Sequence, residues 1–189
     1  MAAEPRSNLA TLFEAVGRAA ASGRGPAPVH LWNPAVCGDI DIRIGRDGAW
    51  SYQGSPIGRT ELVRLFSTVL RRDADGFWLV TPVEKLRIVV EDAPFLAIGV
   101  ERSGQALRFA TNVGDVVEAG PDHPLRVEVG EGGAPRPYVH VRGALDALIA
   151  RPVFYELVEM AEPHESPDGV RLGVRSNGAW FDLGAVEEA

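Results

Sequence analysis

The alternation of apolar and polar positions is strictest at Ile40, Ile42 and Ile44, which share one side while Asp39, Asp41 and Arg43 take the other. That pattern predicts a half-buried strand. Asp47-Gly48 follows, and because this pair favours the positive φ angles of a two-residue loop, Ala49 to Gln53 is expected to return antiparallel. The same arrangement recurs late in the chain. Val170, Leu172 and Val174 alternate with Arg171, Gly173 and Arg175, and Asn177-Gly178 leads into Ala179-Trp180. Gly48, Ala49, Trp50 and Gly54 thereby align with Gly178, Ala179, Trp180 and Gly184, which predicts that 40–54 and 170–184 are equivalent hairpins.

Helical spacing appears three times. Leu9, Leu12, Phe13 and Val16 mark an amphipathic helix over 8–22, with Ser7 or Asn8 as cap and Gly23 as stop. Leu62, Val63, Leu65, Phe66, Val69 and Leu70 mark a second, capped by Thr60 and ended before Asp73. Pro152 opens a third, with Val153, Phe154, Leu157, Val158 and Ala161 on its apolar face. Between the hairpins, 77–80, 86–91, 95–101, 105–111, 125–129 and 138–142 read as strands, 130–137 as a hairpin loop and 162–168 as an exposed connection. The class is α+β: two lobes related by duplication, each a mainly antiparallel sheet with a packed helix. The boundaries place a helix and linker at 1–27, one lobe at 28–93 and another at 94–189.

A chain of 189 residues can bury such cores without staples. Cys37 is the only cysteine, which precludes an intramolecular disulfide and suits a reducing cytoplasm. No stretch approaches the ~18 apolar residues of a membrane helix. The net charge of −7 sits in the second half, since residues 1–92 carry 11 basic and 11 acidic side chains and 93–189 carry 8 and 15. That balance argues against extended nucleic acid and anionic membrane as partners and leaves room for a local basic site.

Consecutive short motifs carry a family resemblance. His30-Leu31-Trp32-Asn33-Pro34, Cys37-Gly38-Asp39-Ile40-Asp41, Gly54-Ser55-Pro56-Ile57-Gly58-Arg59, Leu79-Val80-Thr81-Pro82-Val83-Glu84-Lys85, Glu91-Asp92-Ala93-Pro94-Phe95, Thr111-Asn112, Val141-Arg142 and Arg151-Pro152 resemble the family catalogued as domain of unknown function 1285, over roughly 28–184. The resemblance implies two duplicated α+β domains, the second superficially similar to pleckstrin-homology-like folds. It also implies a cleft between them for a nucleotide-like ligand, and a role in signalling.

Catalytic chemistry has thin support in the residues. Ser55 stands second in Gly54-Ser55-Pro56-Ile57-Gly58, so this is no nucleophile elbow. His30, His123, His140 and His164 lack metal-ligand spacing, and neither a metal nor a cofactor is expected. Asp39 and Asp41, together with Glu84, are the carboxylates a hydrolase or transferase would use as acid, base or metal ligand. The better candidates are side chains beside rigid turns: Arg43 and Arg59, and Thr81, Glu84 and Lys85 around Pro82. Trp32 is a candidate stacking surface, and Asn112 and Arg142 join the set through the matched motifs. The expected function is a non-catalytic sensor or regulatory module that holds a small anion with Arg43, Arg59 and Arg142. The alternatives are that hydrolase or transferase, or a protein-interaction module presenting a sheet edge.

Overall fold

The computed structural model describes residues 9–20, 25–167 and 169–185. The chain divides into two compact units, Met1–Asp92 and Ala93–Ala189.

In the first unit, helix α1 (Leu9–Ala20) precedes strands β1 (Val36–Ile44), β2 (Trp50–Tyr52) and β3 (Ser55–Pro56). Helix α2 (Thr60–Ser67) then leads to β4 (Leu70–Asp73), β5 (Gly76–Val80) and β6 (Glu84–Val90). The sheet order is β3-β2-β1-β6-β5-β4, antiparallel except for the central pair, where β1 and β6 run parallel. Side chains alternate across a pleated strand. One face therefore carries Ile40, Ile42, Ile44, Trp50, Leu79, Leu86 and Ile88, all buried, and Leu12, Val16 and Phe66 from the helices complete the core. The opposite face holds Asp39, Asp41, Arg43, Arg87 and Val89, all exposed. The caps assigned to α1, and its stop at Gly23, lie outside the described residues.

The second unit contains β7 (Phe95–Ser103), β8 (Ala106–Thr111), β9 (Val116–Glu118), β10 (Leu125–Val129), β11 (Pro135–Arg142) and β12 (Leu145–Ile149). Its sheet order is β10-β11-β12-β7-β8-β9, again with one parallel pair, β12 with β7, at the centre. Helix α3 (Arg151–Glu159) follows, with Pro152 in its first turn and Val153 and Leu157 buried. A third sheet, β13-β14-β15, comprises Glu162–Ser166, Gly169–Ser176 and Ala179–Ala185. β14 lies beside β8, and β15 beside β10.

Each six-stranded sheet is thus a meander that starts at the centre, joined to a meander that ends there. This shared topology maps β1–β6 onto β7–β12. The hairpin expected to mark the repeat, 170–184, belongs to the third sheet instead. Its register differs as well. Ile44 pairs with Trp50, and the Gly45–Ala49 hydrogen bond encloses a three-residue loop, 46–48, with Gly48 at φ 76°. Ser176 pairs with Ala179 around a two-residue loop whose Asn177 and Gly178 both have positive φ. The extra residue moves the tryptophan across the sheet, because a one-residue slip exchanges faces. Trp50 is buried beside the isoleucines, whereas Trp180 pairs with Arg175 and only its neighbour Phe181 pairs with the buried Val174. The predicted equivalence of the two hairpins is therefore corrected.

Three further differences follow from local physics. α2 ends at Ser67, where Ser67 and Thr68 return their hydroxyls to the carbonyls of Arg64 and Leu65. Leu70 then opens a strand rather than a last helical turn, and Thr60 is the first helical residue behind an extended Arg59. The connection expected over 162–168 contains β13, an exposed strand without apolar alternation.

Candidate functional site

The turn between β5 and β6 is built around Thr81, whose side chain has no solvent exposure. The Thr81 hydroxyl accepts from the amides of Val83 and Glu84 and faces the Glu84 carbonyl, to which the Thr81 amide donates at 2.9 Å. Proline at 82 fits here because its missing amide has no partner to lose. The turn is consequently rigid, and it stands opposite the last turns of α1. Between them lies a cavity of about 380 Å³ lined by Ala15, Arg18, Ala19, Thr81, Pro82 and Val83. Its wall is mainly apolar. The one charged lining residue, Arg18, is exposed and makes no ion pair among the described residues.

On the other side of the same sheet, Lys85 is fixed rather than available. Its ammonium lies 2.6 Å from Asp73 Oδ2 and 4.0 Å from the centre of the Trp78 ring, with only 16% of the side chain exposed. Asp73 also receives Arg71, and Arg71 donates to the carbonyls of Val29 and Trp32 at 2.9 and 2.7 Å. The Trp32 segment is in this way tied to β4. Burial works against the Asp73 carboxylate, but hydrogen bonds from Arg71 and Lys85 and their positive charges outweigh it, so its pKa lies below the ordinary value. Trp78 donates its indole N–H to Asp75 at 3.1 Å.

The remaining sequence candidates are distributed over both units. Arg43 forms an exposed ion pair with Glu91 at 3.3 Å. Arg59 occupies the position before α2, and its carbonyl accepts from Leu62 and Val63. Glu84 is half-buried at the start of β6. In the second unit, Asn112 exchanges hydrogen bonds with the Leu96 backbone through its amide and its Oδ1. Arg142 is ion-paired with Asp115 and stacks 4.8 Å above Phe95. Thr81 thus lines the cavity, while Trp32 and Lys85 meet in the Arg71–Asp73 network. Arg18, Arg71 and Asp73 escaped the sequence reading. Arg18 sits inside a helical pattern that marks only apolar positions, and Asp73 stands in Asp73-Ala74-Asp75-Gly76, whose local signal is a turn.

Comparison with known proteins covers nearly the whole chain. Residues 27–93 match the model described as domain of unknown function (DUF1285), N-terminal domain, and 94–183 match protein of unknown function (DUF1285), C-terminal domain. The crystal structure of a DUF1285 family protein from Silicibacter pomeroyi DSS-3 is similar at 48% identity and a TM-score of 0.86, over 96% of this chain and 97% of that one. A DUF1285 family protein from Shewanella baltica OS155 is similar at 27% identity and a TM-score of 0.51, over 62% of this chain and 90% of that one. No curated protein matches the chain. No described helix is long and apolar enough to cross a membrane.

Proposed function

The chain belongs to the DUF1285 family, and from that premise we propose that its N-terminal unit is a sensor or regulatory module that binds a small anion, without turning it over, between α1 and the Thr81–Val83 turn. One observation carries the reading: a cavity of about 380 Å³ with a mainly apolar wall and a single guanidinium, Arg18, that is not ion-paired among the described residues. A guanidinium fork takes a carboxylate or phosphate through paired charge-assisted bonds. The alanines, Pro82 and Val83 offer the surface that a ring or short apolar body covers. The ligand class is therefore one anionic head on one compact apolar body, which includes a small nucleotide and excludes a long polyanion.

A ligand that binds the native state alone raises the melting temperature. The test is a thermal-shift titration with inorganic phosphate, nucleoside monophosphates and aromatic carboxylates. A selective rise is expected, and Arg18→Ala removes it while the unliganded melting temperature stays put. A shift that survives Arg18→Ala, or no shift with any compound at millimolar concentration, overturns the reading.

A further inference from the structure

Hydrogen-bond donors are scarce around the cavity between α1 and the Thr81–Val83 turn. The amides of Ala15, Arg18 and Ala19 lie beyond the first turn of α1 and are spent on carbonyls one helical turn earlier. In the turn, the Thr81 amide donates to the Glu84 carbonyl at 2.9 Å, and the amides of Val83 and Glu84 donate to the Thr81 hydroxyl at 3.4 and 3.2 Å. That hydroxyl directs its own proton to the Glu84 carbonyl, and Pro82 has no amide. The side chains of the alanines, Pro82 and Val83 carry no polar atom. Every donor that the lining residues offer therefore belongs to one group, the Arg18 guanidinium.

On the premise that this cavity is the anion site, we propose that its ligand is a monocarboxylate with a compact apolar body, and that the site discriminates against phosphates. A carboxylate has two oxygens, and one edge of a guanidinium meets both through parallel N–H bonds. A phosphate monoester carries three terminal oxygens and a charge of about −1.5 to −2 at neutral pH. Sites built for it add backbone amides to the cation, as a helix N-terminus or an amide nest does. Here α1 faces the cavity with its later turns, and the Thr81–Val83 turn has no amide left to give. Once Arg18 has met two phosphate oxygens, the third stands against the apolar wall, or it draws the head into water and lifts the body from that wall. The donor count narrows the anionic class to carboxylates and takes nucleotides out of it.

The experiment compares benzoate, phenyl phosphate and benzamide, three heads on one ring, by calorimetric titration of the intact chain at constant ionic strength. Benzoate is expected to bind at least about 10-fold more tightly than phenyl phosphate, and at least about 10-fold more tightly than the uncharged benzamide. Arg18→Lys replaces the fork by a point charge and should erase most of the preference for benzoate over phenyl phosphate. Equal or tighter binding of phenyl phosphate overturns the carboxylate assignment and leaves the anion site standing. A benzoate preference that survives Arg18→Lys overturns the assignment as well, since the fork is then not its cause. No binding of either anion at millimolar concentration, or benzamide binding as tightly as benzoate, removes the anion site itself and the assignment with it.

Discussion

The Lys85 ammonium lies 2.6 Å from the Asp73 carboxylate across the β4–β5–β6 side of the first sheet. Because Arg71 reaches the same carboxylate and also binds the Trp32 carbonyl, Asp73 anchors both a strand and the segment ahead of β1.

Removing the anchor leaves two largely screened cations facing each other. Asp73→Ala is expected to cost about 1–3 kcal/mol, the usual range for orphaning a hydrogen-bonded buried group. Lys85→Met retains the contact with Trp78 and should cost less. Urea unfolding of the two variants decides the order.

Asp73 also sets an acid limb. Its pKa is lower in the folded chain than in the unfolded one, so its contribution is complete above the unfolded value near about 4 and fades as pH falls through the lower native value. The stability difference between the natural chain and Asp73→Asn should therefore be flat from neutral pH down to about 5 and shrink below 4. Denaturant midpoints measured across that range provide the check.

Ser176 has no solvent exposure and bridges two sheets: its hydroxyl accepts from the Leu107 amide at 2.8 Å and donates to the Ala119 carbonyl at 2.7 Å. Ser176→Ala leaves the Leu107 amide without that acceptor and is expected to cost about 1–3 kcal/mol. Hydrogen exchange should show the Leu107 amide losing protection first.

Gly173 and Gly99 give opposite outcomes for one substitution. A Cβ at 173 would overlap Trp180 Cζ2 and lie 2.5 Å from the Phe181 carbonyl oxygen, while one at 99 meets nothing within 4 Å. Gly173→Ala should destabilise by about 1–3 kcal/mol, and Gly99→Ala should stay within about 0.5 kcal/mol of the natural chain. Thermal melts of the pair resolve the difference.

How much of this was legible depends on how local the signal is. Ile40, Ile42 and Ile44 announce their strand because burial on one face imposes period two. The parallel pairing of β1 with β6 leaves no such mark, since it joins residues 46–48 positions apart. Trp50 and Trp180 look like the mark of duplication in sequence, but one added loop residue places them on unlike faces. Leu70 continues the helical spacing of Phe66 and so reads as helix, although Ser67 and Thr68 end α2 before it. The site divides in the same way. Thr81 and Pro82 announce a rigid turn, but Arg18 joins it only through tertiary packing.

The central parallel pairs carry a cost during synthesis. In each unit the first strand of the sheet hydrogen-bonds to the last, so β1 waits for residues 84–90 and β7 for residues 145–149. A ribosome adding about 5–20 residues per second leaves each first strand with one bare edge for several seconds. Such edges template intermolecular pairing. Asp39, Asp41 and Arg43 place alternating charge along the first of these edges, whereas β7 opens with Phe95, Leu96, Ala97 and Ile98. The second unit therefore presents the more apolar bare edge while the chain is being made.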